Sequence, residues 1–491
     1  MKKAAAAILN LEVNFYGDEP LHRQLYLAVK RAILDGRLRA GDRLPSTRVI
    51  AADFDVSRTT VLNAFDQLSA EGYLEGRVGS GTTVAPYIPG DLAVKSRRRP
   101  QSSHPESLPK IARRAHLDPF GDLSFLRPPS RPLRPGQPEL GIFPREIWSR
   151  LAAKHWRRAN RDPEHIDSLG YRPLRQAVCD HVVRLRSVRC DPDQVLITCG
   201  AQQALYLAAC TLLDPGEPVW MEDPGYPRAR AAFISAGLKV IPLPVDSEGI
   251  VVSAGKQREP NPRLVFVTPT FQCPLGTMMS LARRFELLQV AKEKNAWIIE
   301  DDYFSEYRYG RDPIASLQSI DRNQCVIYIG NFSKSIAPSL RIGYMILPSA
   351  LVDLFKNVRS TMSRQPPGVE QAILAEFITE GHLERHLRAT LRVYRERQQA
   401  LISAIQEYGQ GLLEIVSGGT GMYLVAWLRP GIDDQSAARM TAQYGVDVVP
   451  LSMFCIKPLR RKGLVLGYSA YEANRIQKAV KELCGALARL H

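Results

Sequence analysis

The stretch CVIYIGNFSKSIAPSLRIGY, from Cys325 to Tyr344, carries most of the information about the fold. Its apolar run at 326–329 predicts a buried strand, and a polar turn follows. In that turn Lys334 stands between two serines, and Arg341 follows seven residues later. Hydroxyls and two cations this close together suit a bound phosphate, and a neighbouring cation with partial burial lowers an amine's pKa. A lysine that forms a Schiff base needs such a pKa, which disfavours the simpler interpretation of a lysine that only ends a strand in water.

A second strand pattern, WIIEDDYFSEYRYG at 297–310, also ends in charged residues. Taken alone, its acidic end would fit a metal site or a solvated strand end. Together the two segments resemble fold-type I pyridoxal-phosphate (PLP) enzymes, and FSK…PSLRIGY most resembles the aminotransferase-like half of MocR-type transcription factors. The resemblance implies that Lys334 carries PLP as a Schiff base, with Ser333 and Arg341 on its phosphate. It also implies that Asp301 pairs with the pyridine nitrogen and that Tyr303 donates to the phenolate oxygen.

Three other segments add candidates for the same pocket. The pattern VLITCGAQQALYLAACTLL predicts strand, turn and helix, and the N–H groups at the helix start could hold a phosphate; these are Gly200, Ala201 and Gln202. In DPGYPRAR, the resemblance implies that Tyr226 stacks on or flanks the cofactor ring and that Arg228 is a basic pocket residue. In VFVTPTFQCPLG the chain departs from the family, with Phe271 where a histidine is usual. Phe271 could stack on the ring but cannot donate a histidine's hydrogen bond.

The N-terminal part predicts a different kind of domain. Residues 20–35 have apolar positions at helical spacing, and a second short helix is expected after Ser46. Ser57 is a good N-cap for a third helix, from Arg58 to Glu71. Two short strands around Gly79-Ser80-Gly81 complete a winged helix-turn-helix. Without the resemblance, an amphipathic helical hairpin with a solvated polar end would be the preferred interpretation.

The segments LPSTR, VSRTTV, EGYL and GSGT resemble the GntR family in order and spacing. The resemblance implies that Arg48 and Arg58 approach DNA and that the wing tip lies at Gly79–Gly81. It also implies contacts to phosphates or base edges from Ser46, Ser57, Thr59 and Thr60. Some relatives have a further basic residue where this chain has Leu62.

Composition agrees with a globular protein and gives little support to other classes. The 491 residues are 45% hydrophobic and 23% charged, and no apolar run approaches the roughly 20 residues that a membrane span needs. We therefore expect a cytoplasmic protein. The eight cysteines are scattered, so neither disulfides nor a metal site is expected. The net charge of +15 is spread along the chain and does not by itself identify a DNA-binding domain.

These patterns predict a multidomain protein with three parts. A winged helix-turn-helix is expected at 15–87, and a basic linker rich in proline and serine at 88–118. An α/β fold-type I aminotransferase-like domain is expected at 119–491, with its large domain at about 151–350 and its small domain at about 355–491. Many aminotransferases grip the substrate carboxylate with an arginine in the small domain, but the strand at 463–470 has none.

The function expected from the resemblance is transcriptional regulation. The aminotransferase-like domain would sense PLP or an amine or amino-acid effector, and a head-to-tail homodimer would bind an operator with two half-sites on double-stranded DNA. One alternative is an active aminotransferase with a DNA-binding appendage. Another is an architectural DNA-binding protein whose C-terminal domain is only structural, which the intact cofactor residues disfavour.

Overall fold

The computed structural model describes residues 19–77, 81–86, 112, 130–158, 167–304, 306–307, 315–364, 367–417 and 421–490. They fall into two compact units, one within residues 1–110 and the other within 111–491. The predicted Gly79 and Ser80 of the wing lie outside the described residues, and so does the predicted linker apart from Ala112. No helix in the described ranges is long and apolar enough to span a membrane.

The first unit is a three-helix core with a β-hairpin. Its elements are α1 (Leu21–Leu34), α2 (Thr47–Asp53), α3 (Arg58–Ala70), β1 (Leu74–Arg77) and β2 (Gly81–Val84). The strands pair antiparallel, with Leu74 opposite Val84. Leu25 and Val29 of α1 are buried with Val61 and Phe65 of α3 in one cluster. The helix-turn-helix and the hairpin predicted from the sequence are therefore both present.

The second unit has a large lobe built on an eight-stranded sheet. The elements up to its last strand are α4 (Arg145–Arg158), α5 (Arg172–Arg186), β3 (Val195–Thr198), α6 (Ala201–Leu212), β4 (Pro218–Asp223), α7 (Pro227–Ser235), β5 (Lys239–Asp246), β6 (Gly249–Ile250), α8 (Val252–Arg258), β7 (Leu264–Val267), α9 (Leu281–Lys294), β8 (Trp297–Asp301), α10 (Leu317–Ile320), β9 (Val326–Asn331) and β10 (Gly343–Ile346). The strand order is β3-β10-β9-β8-β7-β4-β5-β6. β5, β4, β7, β8 and β9 are parallel to one another, whereas β6 pairs antiparallel with β5 and β10 runs antiparallel between β9 and β3. The parallel strands place their carboxyl ends at one edge of the sheet, where the predicted site residues follow.

A smaller lobe completes the second unit. The remaining elements of the chain are α11 (Val352–Ser363), α12 (Gly368–Thr379), α13 (His382–Tyr408), β11 (Leu413–Ser417), β12 (Tyr423–Leu428), α14 (Asp434–Gln443), β13 (Val449–Pro450), β14 (Gly463–Gly467) and α15 (Ala473–Leu487). Of these, α11 packs on the large lobe, where Phe355 is buried in one cluster with Leu205 of α6. The four strands form an antiparallel sheet in the order β11-β12-β14-β13. The segment at 130–138 is fixed to this lobe, since Gly467 N donates to Leu133 O and Arg134 pairs with the buried Asp447 at 2.7 Å.

Candidate cofactor pocket and DNA-binding surface

A cavity of about 530 Å³ lies at the carboxyl edge of the large sheet. Nine of the ten predicted cofactor residues line it: Lys334, Asp301, Tyr303, Tyr226, Arg228, Ser333, Arg341, Ala201 and Gln202. The tenth, Gly200, is the residue before α6 and has φ +83°. A Cβ there would approach the guanidinium of Arg341 to 3.3 Å, so glycine leaves room for that side chain. The sequence thus identified most of this pocket, although the role of each residue stays a prediction.

Lys334 reaches the cavity from the turn after β9. Its Nζ donates to the carbonyl oxygen of Gly136 at 2.7 Å. Burial and, to a smaller extent, the positive charge of Arg228 lower the pKa of this amine to about 8. The cation responsible is therefore Arg228, from α7, rather than the Arg341 of its own segment. An amine with this pKa is partly neutral near pH 7 and can act as a nucleophile.

Asp301, the last residue of β8, faces the same cavity. Its Oδ1 is buried and has no hydrogen-bond partner. Burial and, to a smaller extent, the nearby Asp302 and Glu222 raise the pKa of this carboxyl to about 7. Buried polar atoms without partners are rare in folded proteins, so this oxygen fits a donor supplied by a bound molecule. Glu222 is also buried, and burial raises the pKa of its carboxyl to about 7.

The second acidic residue of the strand end, Asp302, has a structural partner instead. Its carboxylate accepts hydrogen bonds from Arg186 Nε at 2.7 Å and from Tyr328 Oη at 2.6 Å. Both partners are buried. The neighbouring Asp301 and Asp302 therefore have different surroundings, because successive side chains along an extended chain point to opposite faces of the sheet.

Aromatic side chains join the two lobes beside the cavity. Tyr303 Oη and Tyr423 Oη lie 2.9 Å apart, and Tyr423 begins β12 of the small lobe. Phe271 packs behind them, with its ring centroid 6.1 Å from that of Tyr303 and 5.5 Å from that of Tyr423. Phe271 is not among the residues that line the cavity, so the expectation that it could stack on a ring there has no support from its position.

Several cavity residues were missed from the sequence: Pro135, Gly136, Cys273, Phe304, Asn331, Pro338, Tyr423, Phe454 and Val465. Val465 lies on β14, the strand in which a carboxylate-binding arginine was sought. The nearest basic residues upstream, Lys457, Arg460 and Arg461, line a separate cavity of about 350 Å³ with Asp223 and Trp427. Tyr423 and Val465 lie more than 80 residues from Lys334, and only the order of the small sheet, in which β12 and β14 are neighbours, brings them to the cavity.

The predicted DNA-binding residues lie at the starts of α2 and α3. Ser46 and Ser57 are the N-caps, and their hydroxyls accept hydrogen bonds from the N–H groups of Val49 and Thr60. Thr60 Oγ1 is also 2.8 Å from Ser57 Oγ. These hydroxyls therefore stabilise the helix ends, and their contact with DNA stays a prediction.

The side chains of Arg48, Arg58 and Thr59 are exposed. The two helix starts are adjacent, since Arg58 Nε lies 3.5 Å from Thr47 Oγ1. In a helix-turn-helix protein, the second helix enters the major groove with its N-terminal end. These two arginines lie at the end of the motif that helix-turn-helix proteins present to DNA, and their own contact with DNA stays a prediction.

Comparison with known proteins agrees with both units. The model of bacterial regulatory proteins of the gntR family matches residues 21–84, and the model of aminotransferase class I and II matches residues 151–481. The probable rhizopine catabolism regulatory protein MocR of Rhizobium meliloti is 39% identical over 96% of this chain and 95% of its own length. The pyridoxine biosynthesis transcriptional regulator PdxR of Corynebacterium glutamicum is 28% identical over 98% of this chain and 99% of its own.

Solved structures resemble the second unit. LysN, an α-aminoadipate aminotransferase from Thermus thermophilus, is 30% identical with a TM-score of 0.66, over 73% of this chain and 92% of its own. A kynurenine aminotransferase from Pyrococcus horikoshii is 26% identical with a TM-score of 0.67, over 72% of this chain and 90% of its own.

Fold and sequence together define a transcriptional regulator that joins a GntR-type helix-turn-helix to a fold-type I aminotransferase-like domain. The chain belongs to the MocR subfamily of GntR-type regulators. Its family and its DNA-binding class, both predicted from the sequence, are confirmed by these comparisons.

Proposed function

We propose that this regulator binds PLP in the cavity at Lys334 and that an amine or amino-acid effector acting there changes its affinity for operator DNA. The observation that carries the proposal is the unpartnered Oδ1 of Asp301, which shares a cavity with an amine of lowered pKa. A pyridine nitrogen bearing a proton would supply the missing donor. When bound, PLP supplies an aldehyde that reacts reversibly with primary amines and a ring that accepts electrons.

The other cavity residues have roles that follow from their chemistry. Arg341, Ser333 and the first N–H groups of α6 would hold the phosphate, because helix N-termini and arginine both favour anions. Tyr226 would cover one face of the ring, and Tyr303 would donate to its phenolate oxygen. The buried Arg186 would partly balance the negative charge of Asp302, the residue next to Asp301.

The route from this cavity to the DNA-binding unit would begin at Gly136. Lys334 Nζ is bonded to Gly136 O, and attachment to the cofactor's carbon would draw it away. Gly136 belongs to the segment at 130–138, which is fixed to the small lobe and is reached along the chain from the predicted linker. We propose that occupancy of Lys334 shifts this segment and, through the linker, the spacing of two winged helices in a head-to-tail cytoplasmic homodimer bound to two half-sites.

The alternative, an active aminotransferase, has less support from the pocket. Val465 stands on the small-lobe strand where an arginine was sought, and the basic residues upstream line another cavity. A substrate carboxylate would then depend on Arg228. We expect slow or partial amino transfer beside a larger effect on DNA binding.

The test compares operator affinity with steady-state amino transfer over one panel of amines and keto acids. The full chain is assayed with and without PLP, and Lys334→Ala is assayed in parallel. Under the proposal, at least one amine changes operator affinity in the wild type and has no effect in the variant. Fast amino transfer with unchanged operator affinity would establish the enzyme instead.

A further inference from the structure

Leu62 is an exposed leucine on the helix that is expected to contact DNA bases. Neither the packing of the fold nor the cofactor pocket explains its exposure. Among the described residues of the first unit, two large apolar side chains are exposed, Val49 at 44% and Leu62 at 38%. Both lie on the helix-turn-helix, Val49 on α2 and Leu62 on α3. A single exposed leucine is ordinary, but two confined to the DNA-binding motif call for a common cause.

The position of Leu62 on α3 decides what it can contact. The buried face of the helix is formed by Val61, Ala64, Phe65 and Leu68. Leu62 lies four residues after Arg58 and three after Thr59, and residues at these spacings are neighbours on a helix surface. All three are exposed and belong to the first two turns, the part of a recognition helix that enters the major groove.

The chemistry of the major groove leaves one partner for an aliphatic side chain. Phosphates and most base edges offer charges, donors or acceptors, and leucine can satisfy none of them. The exception is the C5-methyl group of thymine, which is apolar and is exposed in the major groove. We propose that Leu62 packs against the methyl group of a thymine in each operator half-site and so selects an A·T pair beside the bases that Arg58 contacts. The proposal rests on operator binding by this helix.

The experiment removes the two sides of the contact separately: the thymine methyl group and the side chain of Leu62. Operator sequences are first selected with the full-length protein, and each thymine is then replaced by deoxyuridine, which differs only in lacking the methyl group. Burial of one CH₂ group is worth about 0.8 kcal/mol, so one replacement in a single half-site should weaken wild-type binding about fourfold. Leu62→Ala should bind the thymine operator more weakly and should not distinguish thymine from deoxyuridine. Leu62→Met keeps an apolar side chain and should restore the distinction.

Three outcomes would overturn the proposal. Wild-type binding that ignores deoxyuridine at every position, while Arg58→Ala still weakens it, would reject the role of Leu62 and leave operator binding intact. A deoxyuridine penalty of unchanged size in Leu62→Ala would assign the methyl contact to another residue. Failure to select any sequence would reject operator binding itself. Thermal unfolding of each variant separates misfolding from lost contact, and at 38% exposure Leu62→Ala should change it little.

Discussion

At the scale of the residue, Lys334 and Asp301 share one physical condition. Burial moves the pKa of each towards neutrality, to about 8 for the amine and about 7 for the carboxyl. Each side chain is therefore partly uncharged, in a site with few groups that would stabilise its charged form. A ligand that offers an aldehyde to one and a protonated ring nitrogen to the other would relieve both.

The lowered pKa of Lys334 predicts how cofactor attachment depends on pH. The neutral amine reacts, so the attachment rate should rise about tenfold per pH unit below pH 8 and level off above it. An ordinary lysine would keep gaining reactivity to about pH 10. Attachment is measured by borohydride trapping and mass spectrometry after incubation with PLP. Lys334→Ala should trap none and Lys239→Ala, at an exposed site, should match the wild type. A rate that still climbs through pH 9 would contradict the pKa.

Local motifs revealed Lys334, Asp301 and Tyr226 because each follows a strand in a contiguous, chemically unusual segment. Tyr423 and Gly136 gave no such signal. They enter the cavity from the small lobe and from the segment that precedes the large lobe, and their own neighbours in sequence are unremarkable apolar and proline-rich residues. Such positions depend on tertiary packing, which periodicity does not describe.

At the scale of the element, the helix-turn-helix was predicted closely because its boundaries have local causes. Ser57 begins α3 as an N-cap, and the chain leaves the helix at Gly72, with φ +76°. The antiparallel insertion of β10 between β9 and β3 was not predicted, since its apolar sequence fits either direction. The strand order of the small sheet was not predicted either, because it depends on which strands pair across the lobe.

Substitutions at Ser57 can separate its role as the N-cap of α3 from its predicted contact with DNA. Ser57→Asp retains a good N-cap and favours the helix dipole, so thermal unfolding should be unchanged. A carboxylate near DNA phosphates should weaken operator binding, by about fivefold or more if the charges approach to about 4 Å. Ser57→Ala should instead lower the free energy of unfolding by about 1 kcal/mol.

Thermal unfolding and fluorescence anisotropy with labelled operator measure the two effects. Wild-type affinity in Ser57→Asp, at low as well as at moderate salt, would remove Ser57 from the DNA surface. Ser69→Asp, which is exposed near the opposite end of α3, is the control for a charge placed on this helix away from the predicted DNA contacts.

At the scale of the whole molecule, coupling between cofactor pocket and DNA must be reciprocal. If an amine changes operator affinity by some factor, operator DNA must change the affinity for that amine by the same factor. Typical couplings of about 1–3 kcal/mol correspond to about 5–150-fold. We expect equal factors when amine is titrated with and without operator, and operator with and without amine.

These titrations are best followed by changes in cofactor absorbance and by anisotropy of labelled operator. Unequal factors would show that the amine acts outside this equilibrium, for example by consuming the cofactor. A variant with weakened attachment of the 130–138 segment, Arg134→Ala, should bind both ligands and lose coupling between them, since Arg134 holds that segment to Asp447.

The unpartnered oxygen of Asp301 has a consequence for the amount of this protein in a cell. A buried acceptor without a donor costs about 1–3 kcal/mol, so under the proposed function the protein without PLP is the less stable form. A difference of that size changes the unfolded fraction several-fold, and unfolded chains are the ones that proteases remove. Vitamin B6 starvation should therefore shorten the half-life of the regulator, and Asp301→Leu, which removes the acceptor, should make its turnover less sensitive to the vitamin.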